Sequence, residues 1–228
     1  MKNPFVDLMN LLYPRICLVC GNALNGHEKQ LCVSCVHGIP RTNYHLLQDN
    51  PVEKKFWGKV TIFRGTSFFY FQKGSPYQKV LHALKYKGNQ EVGELLGKLA
   101  GVDLAETVDF NSVDVIVPVP LHPQKLKSRG YNQSEMICNG LAVILQKPVS
   151  TSNLVRLKEN TTQTKKSVYE RYENTDGIFG LVDKYTFQDL HVLLVDDVLT
   201  TGSTLEACIS VLEEVPNIKV SVFTLAVA

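Results

Sequence analysis

Two adjacent carboxylates, Asp196 and Asp197, follow the apolar run His191-Val192-Leu193-Leu194-Val195, and Val198-Leu199-Thr200-Thr201-Gly202-Ser203-Thr204 comes next. The apolar run is short and has no polar alternation, so it reads as a strand buried on both faces. Thr200, Thr201, Ser203 and Thr204 supply hydroxyls and backbone N–H groups around Gly202, whose missing Cβ lets the backbone approach a ligand. Leu205-Glu206-Ala207-Cys208-Ile209 opens a helix. The loop therefore lies at a helix N-terminus, where unpaired N–H groups favour a phosphate by about 0.3–1 kcal/mol. Asp196 and Asp197 would repel that phosphate and suit the hydroxyl donors of a sugar instead. A phosphate loop beside ribose-binding carboxylates describes a phosphoribosyl site at the C-terminal edge of a parallel sheet. Capping of a strand-turn-helix would not need the Asp pair together with Gly202. A response-regulator pocket needs far more chain than follows Asp197, and a Walker A loop needs a Lys after its glycine.

The second cluster is Cys17-Leu18-Val19-Cys20 with Cys32-Val33-Ser34-Cys35. Two such pairs separated by a short loop converge on one tetrahedral Zn²⁺. Two disulfides or an iron–sulfur cluster would use the same residues. Residues 1–12 contain Asp7 and no long apolar core, so no signal peptide is expected and the chain is placed in the cytoplasm. Disulfides are disfavoured there. Structural zinc is the expectation, and four thiolates leave it no open position for catalysis. Cys138 and Cys208 fall on apolar helix faces and read as core.

The third cluster follows the strand Val115-Ile116-Val117. In Pro118-Val119-Pro120-Leu121-His122-Pro123-Gln124-Lys125-Leu126-Lys127-Ser128-Arg129-Gly130 the cations Lys125, Lys127 and Arg129 would neutralise a pyrophosphate. Gly130 permits close backbone contact. His122 is the one candidate base, although a loop histidine more often serves structure.

The elements that must position these groups follow from pattern. The chain has 228 residues, is 44% hydrophobic and carries a formal charge of +2, so composition declares neither a nucleic-acid binder nor a disordered chain. No run approaches the roughly 20 apolar residues needed to span a bilayer. A short amphipathic helix is expected over 5–12, ended by Pro14, within a metal module at 1–42. Residues 43–59 are polar and read as a linker to an α/β domain at 60–228. A hairpin is expected over 60–64 and 67–71, helices over 76–86, 90–104 and 132–145, and strands over 114–117, 191–195 and 219–227. Strand–helix alternation implies a parallel sheet with right-handed crossovers. The linker would let Cys17→Ser unfold the metal module while sparing the phosphoribosyl site.

The stretch around Asp196 resembles the fingerprint of type I phosphoribosyltransferases, which bind 5-phosphoribosyl-1-pyrophosphate (PRPP). The pattern His122-x-x-Lys125-x-x-x-Arg129-Gly130-Tyr131-Asn132-Gln133, with the cysteine module, resembles the ComF (GntX-like) family. Lys85-Tyr86-Lys87-Gly88 and the order Arg156, Thr162-Gln163, Arg171 are similar to further segments of that family. The resemblance implies a mostly parallel sheet flanked by helices, with a small four-cysteine zinc module at the N-terminus. It implies that Val198, Leu199, Thr200, Thr201, Gly202, Ser203 and Thr204 hold the 5-phosphate. Asp196 and Asp197 would be the catalytic carboxylates on the ribose and, through water, on Mg²⁺. Lys125, Arg129 and Gly130 would face the pyrophosphate, and Arg156, Thr162, Gln163 and Arg171 would belong to a flexible loop closing over it. The implied activity is phosphoribosyl transfer to an acceptor that the residues do not name. The implied role is DNA uptake in natural transformation, with single-stranded DNA and a helicase-like competence protein as candidate partners.

The alternative is a non-catalytic module that senses PRPP or binds single-stranded DNA and docks that partner. Tyr131 and Tyr169 lie among Lys125, Lys127, Arg129, Arg156, Lys165, Lys166 and Arg171, where rings would stack bases at about 1–3 kcal/mol each. A glutamine amidotransferase is not expected, because position 2 is Lys2 rather than a nucleophilic cysteine.

Overall fold

The computed structural model describes residues 14–86, 88–157 and 178–228. The helix expected over 5–12 lies outside them. The described residues form six strands: β1 (Arg64–Tyr70), β2 (Val115–Pro118), β3 (Leu154–Arg156), β4 (Phe179–Leu181), β5 (His191–Leu199) and β6 (Lys219–Val227). The helices are α1 (Val33–His37), α2 (Pro51–Lys54), α3 (Gln78–Tyr86), α4 (Gln90–Ala105), α5 (Val108–Asn111), α6 (Pro123–Arg129), α7 (Gln133–Leu145) and α8 (Ser203–Leu212). β1, β6, β5 and β2 pair in that order, every pair parallel, while β3 and β4 form a separate antiparallel pair. The expected parallel sheet flanked by helices is what forms. No helix among the described residues is long and apolar enough to cross a membrane.

The lack of polar alternation in β5 has a direct cause. Leu193 and Val195 enter one apolar core, with α4 and α7, while Val192 and Leu194 enter a second, with α8. Both faces of the strand are covered, as a parallel sheet requires.

The hairpin expected near the start of the domain does not form. Residues 64–70 make one strand, β1, parallel to β6 at the sheet edge. Gly65 is not a turn residue: its carbonyl accepts from Asn50 Nδ2 at 2.8 Å and its N–H donates to Glu53 at 3.0 Å. A Cβ there would lie 3.1 Å from Val52 and 3.2 Å from Glu53, so the glycine permits α2 to press on the strand. Buried Arg64 pairs with Glu53 at 2.8 Å and also with Asp109, fixing the same junction.

The stretch 43–59 is therefore well built despite its polarity. Asn50 and Glu53 form a capping box on α2, with Pro51 in the first turn. Val52 and Phe56 are fully buried in the second core. The cysteine segment is also continuous with the domain. Cys17, Val19, Leu31 and Ile39 belong to the first core. Tyr77 donates to the Cys35 carbonyl at 2.7 Å, and Gln30 bonds Glu91 at 2.8 Å.

α4 and α7 cross at glycines. A Cβ at Gly140 would lie 2.2 Å from the Glu94 carbonyl oxygen, and one at Gly97 would lie 2.3 Å from that of Ile137. The contact brings the start of α7 against the end of β5. Gly140→Ala adds helix propensity worth about 1 kcal/mol, yet the overpacking should win and destabilise by about 1–3 kcal/mol. Urea unfolding measures it, and a variant as stable as the wild type would mean the helices can separate freely.

Candidate functional site

β5 runs four residues past its expected end at Val195, so both carboxylates lie within the strand. The ladder to β6 continues through Asp196↔Thr224, Val198↔Ala226 and Leu199↔Val227. Thr200 to Gly202 then make a short turn, and α8 begins at Ser203. Gly202 caps the helix with φ 89°, a left-handed conformation that an L side chain resists. Thr201 Oγ1 and Ser203 Oγ lie 3.0 Å apart across the turn. The first-turn N–H groups of a helix have no carbonyl one turn back, so they face the mouth of this loop as donors.

Each carboxylate has a different partner. Asp196 Oδ1 accepts from Ser134 Oγ at 3.1 Å and from the Asp197 N–H at 2.8 Å. Ser134 is delivered by α7, whose N-cap Asn132 also donates to the Val119 carbonyl at 3.0 Å. Burial, then the neighbouring charge of Asp197, push the Asp196 carboxyl up to about 7. Asp197 Oδ2 accepts from Lys85 Nζ at 2.9 Å, at the last turn of α3. The expected site thus gains a cation that its reading did not include.

Because Asp196 is raised in the fold, the folded state keeps a proton that the unfolded chain loses near pH 4. Stability therefore falls as pH rises from about 4 to about 7. Asp196→Asn should remove that fall and be more stable than the wild type at pH 8 by about 1–3 kcal/mol. Parallel pH profiles of the two proteins in urea would contradict this.

The basic segment after Pro120 is a helix rather than a loop. Pro123 occupies the first turn of α6 and His122 Nδ1 accepts from the Gln124 N–H at 3.2 Å, which gives His122 a capping role. Gly130 ends the helix with φ 80°. Lys125 and Lys127 are exposed. Arg129 bonds Gln133 Oε1 and lies 5.5 Å from the ring of Tyr86, so α3 and α6 bring Lys85 and Arg129 to one region. Tyr131 is not a stacking surface: it is 5% exposed and its hydroxyl donates to the Leu84 carbonyl. The core claims the ring because its position follows the α6 cap directly into α7.

Arg156 lies on β3 with its guanidinium 5.2 Å from the Phe179 ring of β4. Thr162, Gln163, Lys165, Lys166, Tyr169 and Arg171 lie outside the described residues. Two further cations were missed. Lys55 donates to the Thr200 carbonyl, and Lys59 pairs with Glu206 at 2.5 Å, so both flank the Gly202 turn. No motif marks them; only the folding of 43–59 against α8 brings them there.

The four N-terminal cysteines converge. Their sulfurs all lie within 4.8 Å of one another, with Cys20 and Cys32 at 3.8 Å. A tetrahedron of sulfurs about 2.3 Å from a central ion has edges of about 3.8 Å. The first knuckle is shaped by Gly21 at φ 80°, with the Gly21 N–H donating to the Cys17 carbonyl at 2.9 Å. Burial opposes ionisation of Cys17, but N–H groups of Cys20, Cys32 and Val19 outweigh it and bring the thiol down to about 6. Burial and the other three sulfurs push Cys35 upward. Four sulfurs that resist sharing negative charge form a set that could hold a metal ion. Cys138 and Cys208 are fully buried in the cores, as expected of them.

No family model matches the chain. A hypoxanthine phosphoribosyltransferase from Staphylococcus aureus overlays 61% of this chain and 65% of its own at a TM-score of 0.37 and 17% identity, an overlay too loose to carry argument. Curated relatives are nearer. DNA utilization protein YhgH of Escherichia coli K12 is 30% identical over 193 residues, covering 83% of this chain and 80% of the relative. Competence protein F of Haemophilus influenzae is 31% identical over 155 residues, covering 66% and 68%. At that identity and coverage, and with the motifs around Asp196, Arg129 and the paired cysteines in place, the chain belongs to the ComF/YhgH family.

Proposed function

We propose that this protein binds PRPP at the C-terminal end of β5 with Mg²⁺ and transfers its phosphoribosyl group to an acceptor. The observation that carries the reading is one continuous stretch: two carboxylates on β5, a left-handed glycine, and the N-terminus of α8. The 5-phosphate would take the N–H groups and hydroxyls of Thr200 to Thr204, with Lys55 beside the turn. Asp196 and Asp197 would accept from the ribose hydroxyls. Arg129 and Lys85 would receive the pyrophosphate, where negative charge grows as the anomeric bond breaks.

Mg²⁺ suits hard oxygen donors and is commonly held by one or two carboxylates plus phosphate oxygens, which Asp196, Asp197 and PRPP supply together. When bound, it would neutralise pyrophosphate charge. The cysteine set suits zinc, held by Cys17, Cys20, Cys32 and Cys35 in a closed structural site. The names of the YhgH and competence-protein relatives support a role in the use or uptake of DNA. Exposed Lys125 and Lys127 support a single-stranded DNA partner, which the burial of Tyr131 weakens.

Calorimetric titration with PRPP, with and without Mg²⁺, tests the reading. Binding that strengthens with Mg²⁺ is expected. A screen of acceptors for pyrophosphate release then separates transfer from binding, and a protein indifferent to PRPP under both conditions would end the proposal.

A further inference from the structure

The salt bridge between Lys85 and Asp197 sits where the proposed reaction would need a metal-accessible carboxylate. Lys85 Nζ lies 2.9 Å from Asp197 Oδ2, with side-chain exposures of 25% and 14%. The lysine does not arrive there as a wandering surface chain. α3 buries Val80, Leu81, Ala83 and Leu84, which fixes the helix face from which Lys85 projects. Tyr86 follows, and Arg129 lies against its ring. Lys85 from α3 therefore holds Asp197, while Arg129 from α6 lies against the ring of the next residue, Tyr86.

We propose that the Lys85 ammonium is a built-in counter-ion that keeps a divalent cation off Asp197 until an anionic ligand draws the ammonium away, so that metal and PRPP bind together. The inference rests on the phosphoribosyl reading of this site. A divalent ion such as Mg²⁺ gives up its waters reluctantly and would reach this carboxylate through one of them. The ammonium on Asp197 Oδ2 claims one such approach, and its charge repels a dication from the remainder of the group. PRPP brings a pyrophosphate, a stronger attraction for an ammonium than one carboxylate. Lysine suits the exchange because its charge is compact and its four-carbon stem rotates, unlike the planar fork of arginine. After the exchange, Asp197 faces the metal and sugar while Lys85 faces the leaving group. No covalent bond changes; only the partners of the charges do.

Mn²⁺ reports metal binding directly by its paramagnetic resonance, with no PRPP present. The wild-type protein should bind Mn²⁺ weakly. Lys85→Met keeps the length and apolar character of the stem and should bind Mn²⁺ at least tenfold more tightly. Lys85→Arg keeps the charge and should remain as weak as the wild type. At saturating Mg²⁺, PRPP affinity should fall at least tenfold in Lys85→Met. Thermal melts of the three proteins establish that all fold. Mn²⁺ affinity in Lys85→Met within twofold of a wild type that binds PRPP overturns the exchange alone, whatever the PRPP affinity of the variant. A wild-type protein that does not bind PRPP overturns the underlying reading and the exchange with it.

Discussion

Gly202→Val should lower PRPP affinity at least 100-fold. The backbone conformation of this glycine is the cause. Gly202 holds φ 89°, and a β-branched residue forced to stay there costs about 1–3 kcal/mol. The turn will relax to avoid that strain, and the relaxed turn no longer presents the first N–H groups of α8. A Cβ at this position would stand at ordinary contact distances, 3.4 Å from Glu206 Oε1 and 3.6 Å from Phe56, so the backbone strain rather than a clash carries the effect. The loss should appear in affinity for PRPP and for ribose 5-phosphate alike, because both carry the 5-phosphate. Titration calorimetry reads both. Equal affinity in variant and wild type would show that the phosphate binds elsewhere. Circular dichroism should show the remaining fold retained, since Gly202 lies at the end of the sheet rather than between its helices.

Removing the metal from the cysteine site should lower the melting temperature of the whole protein by more than about 10 °C. Structural zinc in small modules contributes an apparent 10–16 kcal/mol. The loss is not confined to residues 14–40, because Cys17, Val19, Leu31 and Ile39 pack into the same core as Leu84, Leu96 and Phe223. Tyr77 and Glu91 lose their bonds to Cys35 and Gln30 when the module unravels. The shared core should join the melting of the cysteine segment to that of the rest. Cys32→Ser and treatment with a zinc chelator under reducing conditions should give the same shift. Metal analysis should give one zinc per chain. An unchanged melting curve after complete removal of metal would refute a structural role.

The candidate site is readable in the chain wherever its residues are local. Asp196, Asp197 and the residues from Thr200 to Thr204 adjoin in sequence, so the order strand, carboxylates, glycine, helix follows from burial pattern and backbone sterics without knowledge of the rest. The paired cysteines are equally local, since short spacing alone brings the sulfurs of each pair together. The helices α3, α4 and α7 and the strand β6 also form close to the ranges that their patterning predicts.

Other features depend on residues far apart. The length of β5 is set by its ladder to β6, in which Thr224 and Val227 hold the strand extended past the point where its apolar run ends. Gly65 falls between the two strands expected over 60–64 and 67–71, yet the space it leaves is filled by Val52 and Glu53, which only the docking of α2 reveals. In 43–59, expected as a linker, polarity serves a capping box and the Arg64 pair, while two buried apolar side chains anchor the segment. Tyr131 shows the converse, an aromatic beside cations whose ring the core takes up. Lys85 at Asp197 and Lys55 at the Thr200 carbonyl join groups separated by more than a hundred residues of chain, and flexible side chains leave no period or spacing to betray such a partner. Short-range sterics and hydrophobic periodicity write themselves into neighbouring residues; the pairing of charges across helices exists only after the cores have packed.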